Sequence, residues 1–473
     1  MTIWGFLGKL RNFAEPAPAN CGSTFEPHPE ELEQRIAPAL LVSVAGDTLK
    51  IDATDSAAYL YVEADLNDPS RFTVAADGDI INGGLDSLSF QGINNIELKM
   101  GAETDGVEIG NSTHFTLNGS LKITAYSGAA YVEIQNGDIR KDVTISMKSH
   151  SSESSLQAVL LDVDVGGNVI VRSQQGEVNA SIKSSEGEWH RVEGSVKAQS
   201  NKGDGYLAVS NVDVGGDVSV KAKPSKGLGS AGLSVLNEFS SNEENSDERR
   251  PVVEGDVKLN YSGRNLAGLQ LTAEVQGDVI FSASKAISSI SLSSDFLKSS
   301  LGGDVSLVAG DLKVRGNSGA DIAGDLQVRG DDVDLWLLSS EISGKTSMTS
   351  KGAGSFEVAA TNFAGAVSIR IDGEIGRVGF SNTLANETVR IKLSDYDDRV
   401  FFDDYPSDGA AIFKKDLILN LGKGSNTVGG PQFEYNGEPS LIIGGDFVLS
   451  IPEVIWFVPA FISFPEGGAI KWT

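Results

Sequence analysis

The chain is short of several residues that would have narrowed its chemistry. It has one cysteine, Cys21, in 473 residues, which excludes an intrachain disulfide. It has four histidines (His28, His114, His150 and His190), and none stands at a metal-ligand spacing from another or from Cys21. Each is therefore read as a surface side chain. Proline is scarce at 14 residues against 54 glycines, a balance that fits many tight turns and not a Pro-rich disordered chain. Aromatics make up only 7% of the sequence, so any core must be built from Val, Leu, Ile and Ala. No apolar run reaches the ~18 to 20 residues of a membrane-spanning helix. No nucleophile elbow, phosphate loop or dinucleotide motif is present. Positive charge is also in deficit: Lys plus Arg is 38 and Asp plus Glu 65, so 38 − 65 = −27. Such a surface repels phosphate backbones and anionic lipid, and argues against nucleic acid as a partner.

What is present is a repeat. The pattern Gly-polar-apolar returns as Gly167-Asn168-Val169, Gly194-Ser195-Val196, Gly216-Asp217-Val218 and Gly255-Asp256-Val257. It continues as Gly277-Asp278-Val279, Gly303-Asp304-Val305, Gly324-Asp325-Leu326 and Gly365-Ala366-Val367, with degenerate copies at Lys141-Asp142-Val143, Gly344-Lys345-Thr346, Lys415-Asp416-Leu417 and Gly445-Asp446-Phe447. From Gly303 to Gly365 the steps are 21, 20 and 21 residues. Each copy opens a strand of period two, a polar turn leads to a second such strand, and one more apolar residue precedes the next glycine. Three apolar faces per coil predict an all-β fold: a right-handed parallel β-solenoid of about fourteen coils of 20–27 residues. Glycine is expected to permit the tight corner, and Asp or Asn to bond its own backbone there. Repeats this short do not suit sandwiches or propeller blades.

Three regions depart from the beat. Residues 1–43 contain an amphipathic helix candidate (Trp4, Leu7 and Leu10 against Lys9 and Arg11), a Pro-rich linker and the run Leu32-Glu33-Gln34-Arg35. The helix is either a targeting segment or a cap. Within the repeat domain, 44–446, the step from Gly216 to Gly255 holds a polar, acidic insertion at 239–251, read as a solvated loop or a partner-binding flap. Residues 447–473 are expected to form an apolar C-terminal cap over the last open edge, or a docking segment.

The run Leu32-Glu33-Gln34-Arg35, followed by small and apolar residues, resembles the LE-x-R element of large exported proteins in planctomycete- and verrucomicrobial-type bacteria. In those proteins it precedes a repetitive β-rich region, and the resemblance implies export to the cell surface or extracellular space.

The densest chemical cluster is Asp395, Asp397, Asp398, Asp403, Asp404 and Asp408, with Arg399. It is read as solvated acidic loops, as a Ca²⁺ site, or as the acids of a carbohydrate-active β-helix enzyme. No other cofactor is expected. The leading expectation is a non-enzymatic exported structural or adhesive solenoid whose partners are glycans or cell-envelope proteins. A polysaccharide lyase or hydrolase and a cytoskeletal, bactofilin-like solenoid are its rivals.

Overall fold

The computed structural model describes residues 40–472 except 54–58, 78–80, 102–105, 111–112, 127, 150, 186–187, 226–228, 238–248, 294–296, 375, 403–409, 430–440, 451–453, 458–461 and 464–467, and only the backbone of Val454–Phe457. The chain divides into residues 1–37 and 38–473. The N-terminal helix candidate, the Pro-rich linker and the LE-x-R run lie outside the described residues. Everything below concerns the second unit.

That unit is a three-sided β-solenoid, with no helix among the described residues. The alternating strands that follow the glycines stack in a first parallel ladder, in which Val169–Ser173, Val196–Ser200, Val218–Ala222 and Val257–Tyr261 are successive members. Between Leu121–Ala125 and Phe447–Ser450 this ladder contains fourteen strands, hence thirteen turns. A second ladder runs through Glu177–Lys183, Gly205–Ser210, Ser230–Leu236 and Leu266–Leu271. A third, shorter one runs through His190–Val192, Val212–Val214, Val252–Val253 and Glu274–Val275. The repeat falls silent in sequence between Gly365 and Lys415. There the structure places the strand Val389–Lys392, in register with Val367–Arg370 and Leu417–Asn420.

Period two makes the core. In one coil Val218 and Val220, Leu207 and Val209, and Val212 and Val214 are all at most 2% exposed. Parallel in-register stacking sets each beside its equivalent, roughly 4.8 Å away. A buried Val or Leu contributes about 1.5–3 kcal/mol. In the C-terminal coils phenylalanines take over the axis: Phe356, Phe380 and Phe402 follow one another at centroid spacings of 5.7 and 6.2 Å. Phe413 from the third ladder meets Phe380 edge-on at 5.3 Å.

The two ends differ. At the N-terminal end Leu41–Ala45 pairs antiparallel with Thr48–Ala53, and Asp68–Asp77 with Tyr59–Asp65. Phe72 meets Phe115 of the third ladder at 6.1 Å. At the other end the apolar stretch expected as a cap is wound as one more coil. Val454–Phe457, Ile462–Ser463 and Ile470–Trp472 pair parallel with all three strands beneath.

The corners correct the expectation drawn from composition. The repeat glycines do not occupy left-handed backbone; among the described residues positive φ falls elsewhere. Glycine is required because the coils touch. The Gly277 N–H donates to the Gly255 oxygen at 3.2 Å, Gly303 to Gly277 at 3.2 Å and Gly324 to Gly303 at 3.2 Å. A Cβ at 277 would stand 2.6 Å from that Gly255 oxygen. The aspartates, likewise, do not bond their own backbone. Each accepts the N–H of its equivalent one coil on: Asp256 Oδ1 from Asp278 at 2.8 Å, Asp278 from Asp304 at 2.9 Å, Asp304 from Asp325 at 2.8 Å and Asp325 from Lys345 at 2.7 Å. Left-handed residues make the bend between the second and third ladders, at Asn136, Asp162, Asn211, Ser339, Ala360 and Asn382, with φ between 42° and 57°. Asn and Asp dominate there because their short polar side chains tolerate this region.

Three results are expected. Gly277→Ala lowers stability by about 1–3 kcal/mol in urea unfolding, the usual range for overpacking. Gly268→Ala, whose Cβ meets nothing closer than 3.8 Å, leaves the midpoint unchanged or raises it. Replacing Asp278, Asp304 and Asp325 together by Asn keeps the acceptors and removes stacked like charges. The melting temperature of that variant exceeds wild type at low salt, and the gap closes as salt screens the row.

Candidate functional site

Three of the six acids of the expected cluster are described. Asp403, Asp404 and Asp408 lie outside the described residues. Asp395, Asp397 and Asp398 sit at the corner leading into the second-ladder strand Arg399–Phe402. Asp395 Oδ1 accepts the Lys423 N–H at 3.2 Å, and Asp397 Oδ1 accepts that of Ser425 at 2.7 Å. Both therefore spend an oxygen on the coil above. Asp398 is 1% exposed, accepts the Gly376 N–H at 2.6 Å and takes the Ser394 hydroxyl at 3.2 Å. Burial pushes its carboxyl up to about 6, against the lowering effect of those hydrogen bonds.

A concavity of about 730 Å³ opens beside them, lined among others by Glu374, Arg377, Tyr396 and Arg399. Arg377 also borders a smaller notch with Trp336, Gly379 and Phe401. Its guanidinium lies 3.0 Å from Glu357 and 4.8 Å from the Phe401 ring centroid. The notch exists because position 379 has no side chain: a Cβ there would run into the Phe401 ring.

A second assembly was not anticipated. His190, read from sequence as a surface histidine, has a side chain only 15% exposed. It opens the third-ladder strand His190–Val192, one coil above Val165. Its Nδ1 lies 3.4 Å from Asp164 Oδ2, and its Nε2 lies 3.5 Å from Glu188 Oε2 and 3.8 Å from Asp162 Oδ1. Both ring nitrogens are shut off from solvent, and neither closes a well-formed hydrogen bond among the described residues. The Asp164 carboxylate first, then Asp162 and Glu188, hold the imidazole above its ordinary pKa, against desolvation. Asp162 is fixed from the other side, its Oδ1 accepting the Ser185 N–H and its Oδ2 the Ser185 hydroxyl, both at 2.5 Å. Asp164 Oδ1 accepts the Arg191 N–H at 2.7 Å.

This corner also receives the end of the acidic insertion, whose residues 238–248 lie outside the described set. Arg249 pairs with Asp213 at 2.6 Å and covers the Trp189 ring at 4.4 Å, while Arg191 joins Glu254 at 2.7 Å. Spacing concealed the cluster, because Asp162 and His190 are neighbours only through one turn of coil. The available signal was Asp162-Val163-Asp164, whose alternation sets the second carboxylate outward just below the third-ladder strand that His190 opens. No family model matches this chain, and no curated protein and no solved structure matches it.

Asp398 supplies a pH prediction. A carboxyl raised in the folded state binds its proton more tightly than in the unfolded chain, so its contribution is fully present below the unfolded value near 3.8. That contribution is lost as pH rises through about 6. Asp398→Asn retains an acceptor for the Gly376 N–H without a charge. Its melting temperature therefore gains on wild type between pH 4 and pH 7; a difference independent of pH contradicts the assignment.

Proposed function

We propose that this chain is a non-enzymatic, exported structural or adhesive solenoid of a bacterium, set at the cell surface or outside the cell as a spacer or binding module. The sameness of the coils carries this reading. The same glycine contacts and the same aspartate relay recur from Asp256 to Lys345, so the repeat adds length and surface without elaborating one coil. The LE-x-R resemblance supports export, and glycans or envelope proteins fit as partners.

The carbohydrate-active alternative is favoured by one feature, the concavity where Arg377, Arg399, Tyr396 and the aspartates meet. Hydrolysis of a glycoside uses a pair of carboxyl groups facing the sugar across about 5–10 Å. Asp398 is a poor candidate because it is buried and bonded to backbone. The notch flanked by Trp336 and Phe401 fits binding of a sugar ring better than its cleavage. The bactofilin-like alternative needs open ends for polymerisation, and the antiparallel strands over the N-terminal coil work against it.

The test is protease treatment of intact producing cells, followed by incubation of the purified chain with a panel of polysaccharides. The expected result is cleavage on intact cells, and retention of some glycans without new reducing ends or unsaturated products. Protection equal to that of a cytosolic control overturns export, and product release overturns the non-enzymatic reading.

A further inference from the structure

We propose that Asp162, Glu188 and His190 form a binding site for a first-row divalent metal of the Zn²⁺ type, with Asp164 orienting the histidine, and that the ion staples two neighbouring coils. This inference stands whether or not the solenoid is exported. His190 Nε2 and one carboxylate oxygen from each of Asp162 and Glu188 lie within 4.8 Å of one another. Zinc bonds of roughly 2.0–2.2 Å to nitrogen and oxygen in a tetrahedron place ligand atoms about 3.4 Å apart. The 3.5 Å separation of Nε2 from Glu188 fits that figure, and the 3.8 Å separation from Asp162 needs only a small side-chain movement.

The histidine itself is the second observation. The two ring nitrogens are closed to solvent without a well-formed hydrogen bond among the described residues, a loss of solvation that an ion or a proton between them and the carboxylates offsets. Here the two nitrogens have distinct neighbours. Among the described residues Nδ1 faces Asp164, the arrangement in which a carboxylate holds the N–H and turns the Nε2 lone pair outward. Nε2 faces two carboxylates, and a cation among those three atoms would satisfy all of them. One nitrogen and two carboxylates suit zinc better than calcium, which takes six to eight oxygens. Asp162 and Asp164 belong to one coil and Glu188 and His190 to the next, so the ion would tie the two coils together beside Ser184 and Ser185.

The experiment uses the full chain, freed of metal by chelator and titrated calorimetrically with ZnCl₂ at pH 7.5. One Zn²⁺ per chain is expected, with a melting temperature that rises on addition and falls back with chelator. His190→Gln abolishes uptake and His114→Gln leaves it intact, since His114 is exposed and pairs with Asp138 at 3.3 Å. Asp164→Asn weakens binding about ten- to a hundredfold, as loss of an orienting carboxylate does. Far-UV circular dichroism of the metal-free variants checks folding. Should His190→Gln fail to fold, Co²⁺ loaded into wild type and Asp164→Asn decides. Intense visible bands of a four-coordinate ion in the first, shifted in the second, support the site. Uptake unchanged by His190→Gln overturns the proposal, as does failure of the folded wild type to take up one equivalent, or a Co²⁺ spectrum identical in the two proteins.

Discussion

The distance between successive coils governs this molecule. Parallel pairing sets it at roughly 4.8 Å, and every residue in a coil lives with a near-copy of itself at that separation above and below. An apolar side chain finds its best neighbour in its own equivalent, so the axis fills with Val and Leu columns. A backbone corner finds another corner so near that glycine recurs there, and the Gly255–Gly277–Gly303–Gly324 contacts form an unbroken chain. The same spacing turns each Asp into the acceptor for the next coil's N–H. Repetition in sequence is thus the result of one translational constraint acting on every position.

That constraint has an electrostatic consequence. A row of carboxylates one coil apart is unfavourable, yet it persists because each charge is held by a backbone N–H and faces water, where repulsion is screened. Where a cation is available it is used: Lys258 Nζ lies 2.5 Å from Asp256 and 3.6 Å from Asp217, and holds the Asp256 carboxyl below its usual range. Asp398 illustrates the opposite regime. It is buried at a corner with hydrogen bonds but no cation, and its proton affinity rises instead.

Departures from the repeat gather at the bend between the second and third ladders. A single left-handed residue turns the chain there, so extra residues can be extruded without disturbing either ladder. Trp189, just before His190, and Arg249 lie at this bend in different coils, and Arg249 covers the Trp189 ring. The proposed metal ligands lie where the lattice tolerates variation, as binding groups do on the loops of other rigid scaffolds.

The sequence by itself determined the all-β class, the coil length, the three apolar faces and the identity of most inward residues, because these follow from period-two alternation and a period near 21 that are written locally. The strand Val389–Lys392 was hidden because its corner, Asn386-Glu387-Thr388, carries no glycine. Only the tertiary structure decided why the glycines are there, which backbone the aspartates serve, and that Asp398 is interior while His190 stands among three carboxylates. Those are relations between residues one whole coil apart. They depend on vertical register, which small differences in coil length shift from turn to turn and which no local pattern records.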